Sequence, residues 1–426
     1  MSDSPRPARG RSSTVSRRQA LLAGAAGLVG AAAAPLAGQT ADQAARARVP
    51  ADPTKVQGPG GTDVGARSPF ERPSRVSMGA GARRTATQTP LQDLTGIITP
   101  ADLHFERHHA GVPAIDPDRY SLLIHGLVER PMTFTLADLK RFPARSVIRF
   151  LECSGNGGRA YRREAADLDV TPQQIDGLTS TSEWTGVPLS TLFREVGASP
   201  TAAWFLAEAM DAAVMTRSVP IAKAYDDAMV VYAQNGEAIR PEQGYPDRLF
   251  LPGFEGSSNV KWLRRLELAD GPFMSREETS KYTDPLPDGK ARMFSFVMDA
   301  KSVITEPAAP DRLTGPGWWE IRGLAWSGRG RISRVDVSAD GGRTWRAATL
   351  DEPVLPKCHT RFRLPWRWDG AEAVLMSRAT DETGYVQPTT DALMAARGPS
   401  TSYHFNNIRA WRVARDGTVR LAGGPA

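Results

Sequence analysis

A cysteine followed by a glycine-rich loop is the first feature of this chain that could do chemistry. Cys153 ends an apolar stretch and opens the loop in "RFLECSGNGGRAY", and Cys358 is the only other cysteine in 426 residues. Glycines let a backbone approach a ligand closely, and a thiolate is a soft ligand suited to a heavy metal. Free cysteines are also often simply buried, or act as nucleophiles beside a histidine. The sequence alone leaves packing, metal binding and nucleophilic catalysis open.

A second candidate is the basic run Arg107-His108-His109 in "HFERHH". A guanidinium group can pair with two oxygens of an oxyanion at once, so this run beside a metal would suit a small anionic substrate. The same residues are equally typical of a solvated polar turn before Pro113. Both interpretations stay open at this point.

Several functional classes are excluded by what the sequence lacks. Two cysteines without a CxxC or CxxCH pattern cannot form a four-thiolate zinc site or attach a c-type haem. No phosphate-binding glycine loop, GxSxG elbow or HExxH helix occurs. Residues 1–48 carry seven arginines against two aspartates, so five of the six net positive charges lie there. The remainder is nearly neutral, which argues against nucleic-acid binding.

The first 41 residues are predicted to be a twin-arginine signal peptide. Arg17-Arg18 precedes an apolar run from residue 20 to about residue 34, which is shorter than the roughly 20 residues that span a bilayer. We therefore expect export of the folded protein to the periplasm and no permanent membrane anchor; a general secretory signal is the alternative. Residues 42–92 are rich in Pro and Gly and are predicted to be an N-terminal linker or surface arm that is not part of the core.

The rest of the chain predicts an α+β domain over residues 93–298 and a β-sandwich over residues 299–426. The first contains strands at Tyr120–Ile124 and in "SVIRFLEC", a helix capped by Thr135, and a helix in "VPLSTLFREVG". It shows no regular strand–helix alternation. The second contains short alternating strands with glycine turns, clearest at Asp340-Gly341-Gly342, which predicts an immunoglobulin-like sandwich.

An ordered set of motifs resembles the sulfite oxidase family of molybdenum enzymes. "HFERHH", "LECSGN", "GYPDRLFLPGFEGSSNVKW" and "VSADGGRTW" follow one another as in that family, and they are most similar to its bacterial sulfite dehydrogenases and sulfane dehydrogenase subunits. The resemblance implies an N-terminal domain that holds Mo-molybdopterin and an immunoglobulin-like dimerisation domain.

The resemblance also implies roles for individual residues, with Cys153 as the protein ligand to molybdenum. Its implied catalytic residues are Arg107, His109, Cys153, Tyr282 and Arg397, with Arg159 as a further cation near the substrate. Its implied cofactor-binding residues are Phe105, Glu106, Arg107, His108, His109, Cys153, Asp211, Arg248, Asn259, Val260 and Lys261, of which Arg248 and Lys261 suit a phosphate.

Two departures from the family favour a bulkier sulfur substrate than free sulfite. Gly158 stands where sulfite-specialised members have an arginine, and Gln243 stands where animal members have a histidine. The expected activity is oxidation of sulfite or protein-bound sulfane sulfur by oxygen-atom transfer. A separate c-type cytochrome would accept the electrons, in a homodimer or heterotetramer. The alternatives are a non-catalytic periplasmic binding protein and a sulfoxide-reductase-type molybdoenzyme.

Overall fold

The computed structural model describes residues 60–78, 85–162, 166–286 and 288–423. The chain divides into two units, Met1–Arg67 and Ser68–Ala426. Of the first unit, residues 60–67 are described, and there the Thr62 hydroxyl donates to the Val64 carbonyl at 2.8 Å. The predicted signal peptide lies outside the described residues. The predicted domain boundaries after residues 41, 92 and 298 stay predictions.

A mixed five-stranded sheet forms the larger core of the second unit. Its strands in spatial order are β5 (Met132–Phe134), β4 (Leu122–Gly126), β13 (Leu263–Ala269), β8 (Trp204–Ala209) and β9 (Thr216–Pro220). The pair β4–β13 is parallel and the other pairs of this sheet are antiparallel. Buried Leu, Ile, Val and Phe side chains from these strands pack in one cluster with the neighbouring short helices.

Two further sheets lie beside the cysteine. One has the order β11 (Glu237–Ala238), β10 (Met229–Gln234), β7 (Thr179–Pro188), β6 (Arg145–Glu152), and β12 (Arg248–Phe250) also pairs with β10. The other joins β1 (Val76–Met78), β2 (Ala86–Gln88) and β3 (Glu106–Arg107). A two-stranded ribbon, β14 (Asp284–Pro285) and β15 (Ala291–Arg292), follows later in the chain.

The helices of the described residues are short. They are α1 (Leu136–Leu139), α2 (Gly158–Tyr161), α3 (Pro172–Asp176), α4 (Leu189–Glu195), α5 (Ile221–Asp226), α6 (Arg276–Thr279) and α7 (Thr390–Arg397), with 3₁₀ turns at Leu91–Asp93, Ala101–Leu103, Pro241–Gln243 and Gly256–Ser258. Within the described ranges, no helix combines the length and the apolar character needed to cross a bilayer.

The C-terminal part is a sandwich of two antiparallel sheets. One has the order β16 (Lys301–Glu306), β17 (Gly317–Trp326), β21 (Thr360–Trp368), β20 (Thr349–Leu350); the other has β19 (Arg346–Ala347), β18 (Ile332–Ser338), β22 (Ala373–Asp381), β23 (Ala410–Val413), β24 (Val419–Leu421). Alternate residues of β21 are buried in the core that the two sheets share. The α+β class and the C-terminal sandwich that the sequence predicts are confirmed.

Local signals in the sequence predicted several turns and caps correctly. Thr135 caps α1 in a capping box with Asp138. Asn235 and Gly236 form the predicted turn between β10 and β11, both with positive φ, the backbone region that Asn and Gly tolerate best. Asp340 closes the sandwich hairpin, because its carboxylate accepts hydrogen bonds from the Thr344 hydroxyl at 2.6 Å and the Thr344 N–H at 2.9 Å.

The prediction that residues 42–92 form a surface arm outside the core is wrong in its C-terminal part. β1 and β2 lie there, and the β2 residues Ala86, Thr87 and Gln88 are buried. β2 pairs with β3, so it covers the segment that holds Arg107. A three-residue strand is too short for alternation to show, and its burial depends on partners remote in sequence.

The buried carboxylic acid of Asp247 contacts Tyr120, which precedes the strand β4 of the mixed sheet. The Tyr120 hydroxyl lies 2.6 Å from Asp247 Oδ2 and 2.7 Å from the Leu263 carbonyl. A phenol has one proton to donate, so both short contacts are satisfied when Asp247 is protonated and donates to Tyr120. Consistently, burial raises the pKa of Asp247 to about 8.

This buried acid predicts a pH-dependent stability. Because the folded-state pKa of Asp247 lies above its ordinary value, folded protein retains a proton there that the unfolded chain loses, so stability falls as pH rises from about 4 to about 8. Asp247→Asn should therefore raise the unfolding midpoint at pH 8 and leave it nearly unchanged at pH 4. Thermal denaturation across this range measures it, with exposed Asp118→Asn as the control. An equal shift at both pH values would contradict the assignment.

Candidate functional site

A cavity of about 640 Å³, including its open mouth, lies at the end of β6 and contains Cys153. Most residues that the sequence predicts for the site line it together: Phe105, Arg107, His108, His109, Cys153, Asp211, Arg248, Asn259, Val260, Lys261 and Tyr282. These residues come from β3 and the turn after it, the loop after β6, the turn after β8 and the segments around β12 and α6, which are remote in sequence. The structure thus brings these residues together in one cavity, while their functional roles stay predictions.

Glycine at position 256 lets the opposite wall of the cavity approach the cysteine. A Cβ atom there would lie 2.7 Å from the Glu152 carbonyl and 3.2 Å from Cys153 Cα. Position 157 also requires glycine, since its φ is +91° and a Cβ would collide with Arg409 and Asp176. The glycine-rich loop is therefore held by close backbone approach on both sides.

A buried ionic network fixes this loop from behind. Lys301 Nζ lies 2.7 Å from Glu152 Oε1 and 3.4 Å from Asp176 Oδ1, and Arg409 Nη2 lies 2.8 Å from Asp176 Oδ1. Asn156 donates to Glu152 at 2.9 Å and accepts from Leu178 N–H at 3.0 Å. Burial alone would raise the pKa of Asp176, but Arg409 and Lys301 outweigh it and lower the pKa. The carboxylates of Glu152 and Asp176 and the cations of Lys301 and Arg409 thus neutralise each other behind Cys153.

The segment between α7 and β23 covers the loop from the other side. The His404 N–H donates to the Ser154 carbonyl at 2.7 Å. The Phe405 ring packs against Gly158, and a Cβ atom at position 158 would lie only 2.9 Å from a ring carbon. The Tyr403 ring packs against the Tyr282 ring at a tilt of 35°, with 5.1 Å between centroids. Position 158 is therefore filled by Phe405, which explains why glycine stands there.

Two deep cations in the cavity have no carboxylate partner. Arg248 donates to the carbonyls of Gln243 at 3.0 Å and Asn259 at 2.8 Å, and its Nε has no hydrogen-bond partner. Lys261 donates to the Glu242 carbonyl at 2.8 Å. Burial lowers the pKa of Arg248 to about 9, and burial with the charge of Arg248 lowers the pKa of Lys261 to about 7. Within the described residues neither forms an ion pair, so the site is built to receive an anionic group.

Tyr282 and His109 form a neutral pair at the cavity. His109 Nε2 lies 2.9 Å from the Tyr282 hydroxyl. Burial, followed by the charge of Arg107, lowers the pKa of His109 to about 4, and burial raises the pKa of Tyr282 well above its usual value. At neutral pH the phenol therefore donates to a neutral imidazole. Tyr282 has a φ of +45°, and its backbone hydrogen-bonds the Tyr403 hydroxyl.

The predicted cofactor segment from Phe105 to His109 is held by contacts along its length. The Phe105 carbonyl accepts a hydrogen bond from Gln243 at 2.7 Å. His108 Nε2 lies 3.1 Å from Glu106 Oε1, while its Nδ1 accepts from the Gly111 N–H at 3.1 Å, so the proton of neutral His108 is on Nε2. Glu106 does not line the cavity but orients His108, which does.

Two arginines that the sequence predicts near the substrate lie elsewhere. Arg397 is buried outside the cavity, 3.1 Å from Asp284 and 3.9 Å from Asp299. Arg159 is exposed on a separate groove beside Phe405. The structure therefore does not bring Arg397 or Arg159 together with Cys153. Ion pairs hold Arg397 away from the cavity, and Arg159 points to the surface from α2.

Sequence reasoning missed the residues that complete the outer wall. Ser257 and Trp262 line the cavity, and Arg217 lies fully buried beneath the Tyr282 ring at 4.9 Å. Ser257 stands inside the quoted motif "GFEGSSNVKW" and could have been inferred from its position. Arg217 carries no local signal, because its ion-pair partners Glu255 and Glu278 are 38 and 61 residues away.

Comparison with known proteins identifies the class to which this fold and cavity belong. The family model for the oxidoreductase molybdopterin binding domain matches residues 109–277, and that for the Mo-co oxidoreductase dimerisation domain matches residues 292–410. The chain is therefore a molybdopterin oxidoreductase with a dimerisation domain.

Comparison with individual proteins narrows this class of molybdopterin oxidoreductases to one family. Sulfite oxidase from Gallus gallus is 29% identical over 374 residues, 80% of each chain. Nitrate reductase [NADH] 2 from Phaseolus vulgaris is 32% identical over 66% of this chain, which spans only about a third (35%) of that protein. The crystal structure of the sulfane dehydrogenase SoxCD from Paracoccus pantotrophus is similar with a TM-score of 0.81 and 45% identity, over 87% of this chain and 98% of that one. The chain belongs to the sulfite oxidase family of molybdopterin enzymes.

Family membership implies Mo-molybdopterin as the cofactor, and the residues present fit it. The deep cations Arg248 and Lys261, which form no ion pair among the described residues, suit its phosphate, and Cys153 lines the same cavity. Burial raises the pKa of that thiol, while Arg107 and the Gly155 N–H oppose the shift. Coordination to a metal would hold Cys153 as thiolate at neutral pH.

The role of Lys261 in holding the cofactor phosphate is testable without turnover. Lys261→Met keeps the apolar stem and removes the charge, so the protein should fold but bind molybdopterin roughly tenfold or more weakly, as expected for losing a hydrogen bond to a charged group of about 1.5–3 kcal/mol. Molybdenum and pterin content per chain measures this, with exposed Lys290→Met as the control. Full cofactor content in Lys261→Met would contradict the assignment.

Proposed function

We propose that the protein oxidises sulfite or sulfane sulfur bound to a carrier protein and passes the electrons to a c-type cytochrome. The observation that carries the proposal is the convergence of Cys153, Arg107 and the Tyr282–His109 pair on one cavity whose deeper end has unpaired cations. The similarity to a sulfane dehydrogenase supports it. In the net reaction the substrate sulfur gains one oxygen from water, and two electrons and two protons are released.

Arg107 is the residue that would bind the negative charge of the substrate. Its Nη1 contacts the carbonyls of His108 and Thr85, and it forms no ion pair among the described residues, so its charge is available in the cavity. Preorganised donors of this kind stabilise charge that develops on the product oxygen. Arg397 would act only indirectly, because Asp284 and Asp299 neutralise it.

The Tyr282–His109 pair would orient the substrate oxygen. The phenol remains protonated and the imidazole neutral at pH 7, so the pair adds no charge at rest. When bound, Mo-molybdopterin supplies the two-electron oxygen-atom transfer. Leu151, Met215 and Trp262 provide apolar walls that limit the access of water.

We further propose a periplasmic location reached by the twin-arginine route, and assembly as a homodimer or as a heterotetramer with the cytochrome. The Arg17-Arg18 pair before an apolar run supports the export route, and the match to a dimerisation domain supports the oligomer. Of the alternatives, a non-catalytic binding protein does not account for the molybdopterin-domain match. The sandwich that matches the dimerisation domain argues against a sulfoxide-reductase-type enzyme.

Cys153→Ser tests the metal-ligand role. A serine oxygen in place of the soft thiolate changes the ligand field of the metal directly, so activity should be lost even where molybdenum is retained. Metal analysis and steady-state assays with an artificial electron acceptor measure this, with buried Cys358→Ser as the matched control outside the cavity. Near-wild-type turnover by Cys153→Ser would refute the ligand assignment.

Changing Arg17-Arg18 to Lys-Lys tests the export route. Because the twin arginine is an address read by a receptor, the Lys-Lys form should remain in the cytoplasm as folded, molybdenum-containing protein. Cell fractionation followed by metal analysis measures it. Unimpaired export of the Lys-Lys form would favour the general secretory route instead.

A further inference from the structure

A buried ionic cluster of Arg217, Glu255 and Glu278 lies directly behind Tyr282. Arg217 Nη2 lies 2.9 Å from Glu255 Oε1, and Arg217 Nε lies 2.9 Å from Glu278 Oε1. All three side chains are at most 1% exposed. Salt and water therefore screen these charges little, and their field reaches neighbouring groups.

The cluster touches the cavity at two points. The guanidinium of Arg217 faces the Tyr282 ring at 4.9 Å, and its Nη1 donates to the hydroxyl of Ser257. Tyr282 and Ser257 both line the cavity. Arg217 is thus placed where a substrate-binding cation could be, separated from the cavity by one layer of side chains.

The positive charge of Arg217 is nevertheless cancelled. Burial opposes ionisation, but Arg217 and His404 lower the pKa of Glu255 to about 2. Glu278 accepts from Arg217 and from the Ser218 N–H; burial raises the pKa of Glu278, and Arg217 and this N–H oppose the shift. His404 Nε2 lies 3.3 Å from the other oxygen of Glu255. With or without a proton on His404, two carboxylates leave the cluster without net positive charge.

The negative charge of Glu255 also reaches the reacting end of the cavity. Glu255 directly precedes Gly256, and a Cβ atom on Gly256 would lie only 3.2 Å from Cys153 Cα. Since Arg397 is likewise neutralised by aspartates, Arg107 is left as the cation beside Cys153. A single cation facing a buried carboxylate favours a monoanion over a dianion.

We propose that Glu255, with Glu278, is a specificity determinant that cancels Arg217 and so disfavours free dianions such as sulfite. The site then prefers sulfur carried on a neutral or singly charged group, as in a persulfide on a carrier peptide. This inference rests on the proposed function, because it chooses between the two substrates named there.

The test uses the holoenzyme and sulfate as an unreactive dianion. Glu255→Gln removes the carboxylate charge at nearly constant shape, so sulfate should bind about tenfold more tightly, the scale of removing one buried charge near a site. The KM for sulfite should fall by a similar factor, while the KM for a peptide persulfide, which carries a single negative charge, should fall less. Isothermal titration and steady-state assays measure these, and Glu237→Gln in an exposed ion pair is the matched control.

A double variant separates charge from shape. Arg217→Gln combined with Glu255→Gln removes one charge of each sign, so its sulfate affinity should lie within about twofold of the wild type. If Glu255→Gln does not fold, Glu278→Gln should shift sulfate binding in the same direction. Unchanged sulfate affinity in the single variants, or equal tightening in the double variant, overturns the inference. Wild-type holoenzyme that oxidises neither substrate would instead overturn the proposed function.

Discussion

The buried network of Glu152, Asp176, Lys301 and Arg409 is the interaction on which the rest of the structure depends. It lies behind the loop of Cys153 and connects four parts of the chain: β6 with its loop, the helix α3, the first strand of the sandwich, and the segment before β23. Breaking such a pair by removing one partner leaves an uncompensated buried charge, which costs about 3–5 kcal/mol. The position of the cysteine is thus determined by residues of the sandwich as much as by its own strand.

The charges around the cavity follow a simple division. Those that hold the fold are paired, as in this network and in the Arg217 cluster, whereas Arg107, Arg248 and Lys261 have no carboxylate partner in the part of the chain that the structure describes. An unpaired buried cation is costly in an isolated protein, so the cavity is incomplete by itself and a bound anion stabilises it. The same division explains why a sequence rich in arginines presents few of them to a substrate.

Most of the fold could be predicted from local patterns, and much of the site from ordered motifs. The hairpins at Asn235-Gly236 and Asp340-Gly341-Gly342 depend on neighbouring residues, so their sequences are sufficient to identify them. Burial of β2, the pairing of Arg397 with Asp284 and the cluster of Arg217 depend instead on contacts between remote segments. No periodicity or spacing carries such contacts, which is why the sequence placed Arg397 at the substrate and missed Arg217.

The contacts of the C-terminal segment with the cysteine loop also bear on the order in which the molecule can be completed. Arg409 and Asp176 are 233 residues apart in the chain, and His404 contacts Ser154 across a similar separation. A nascent chain leaves the ribosome from its N-terminus, so the strands that carry Cys153 emerge long before the residues that support the loop. The cavity is therefore finished only when translation is almost over. A chain truncated after the sandwich strand β22 would keep every residue that lines the cavity and still lack His404, Phe405 and Arg409, which support the cysteine loop from the C-terminal segment.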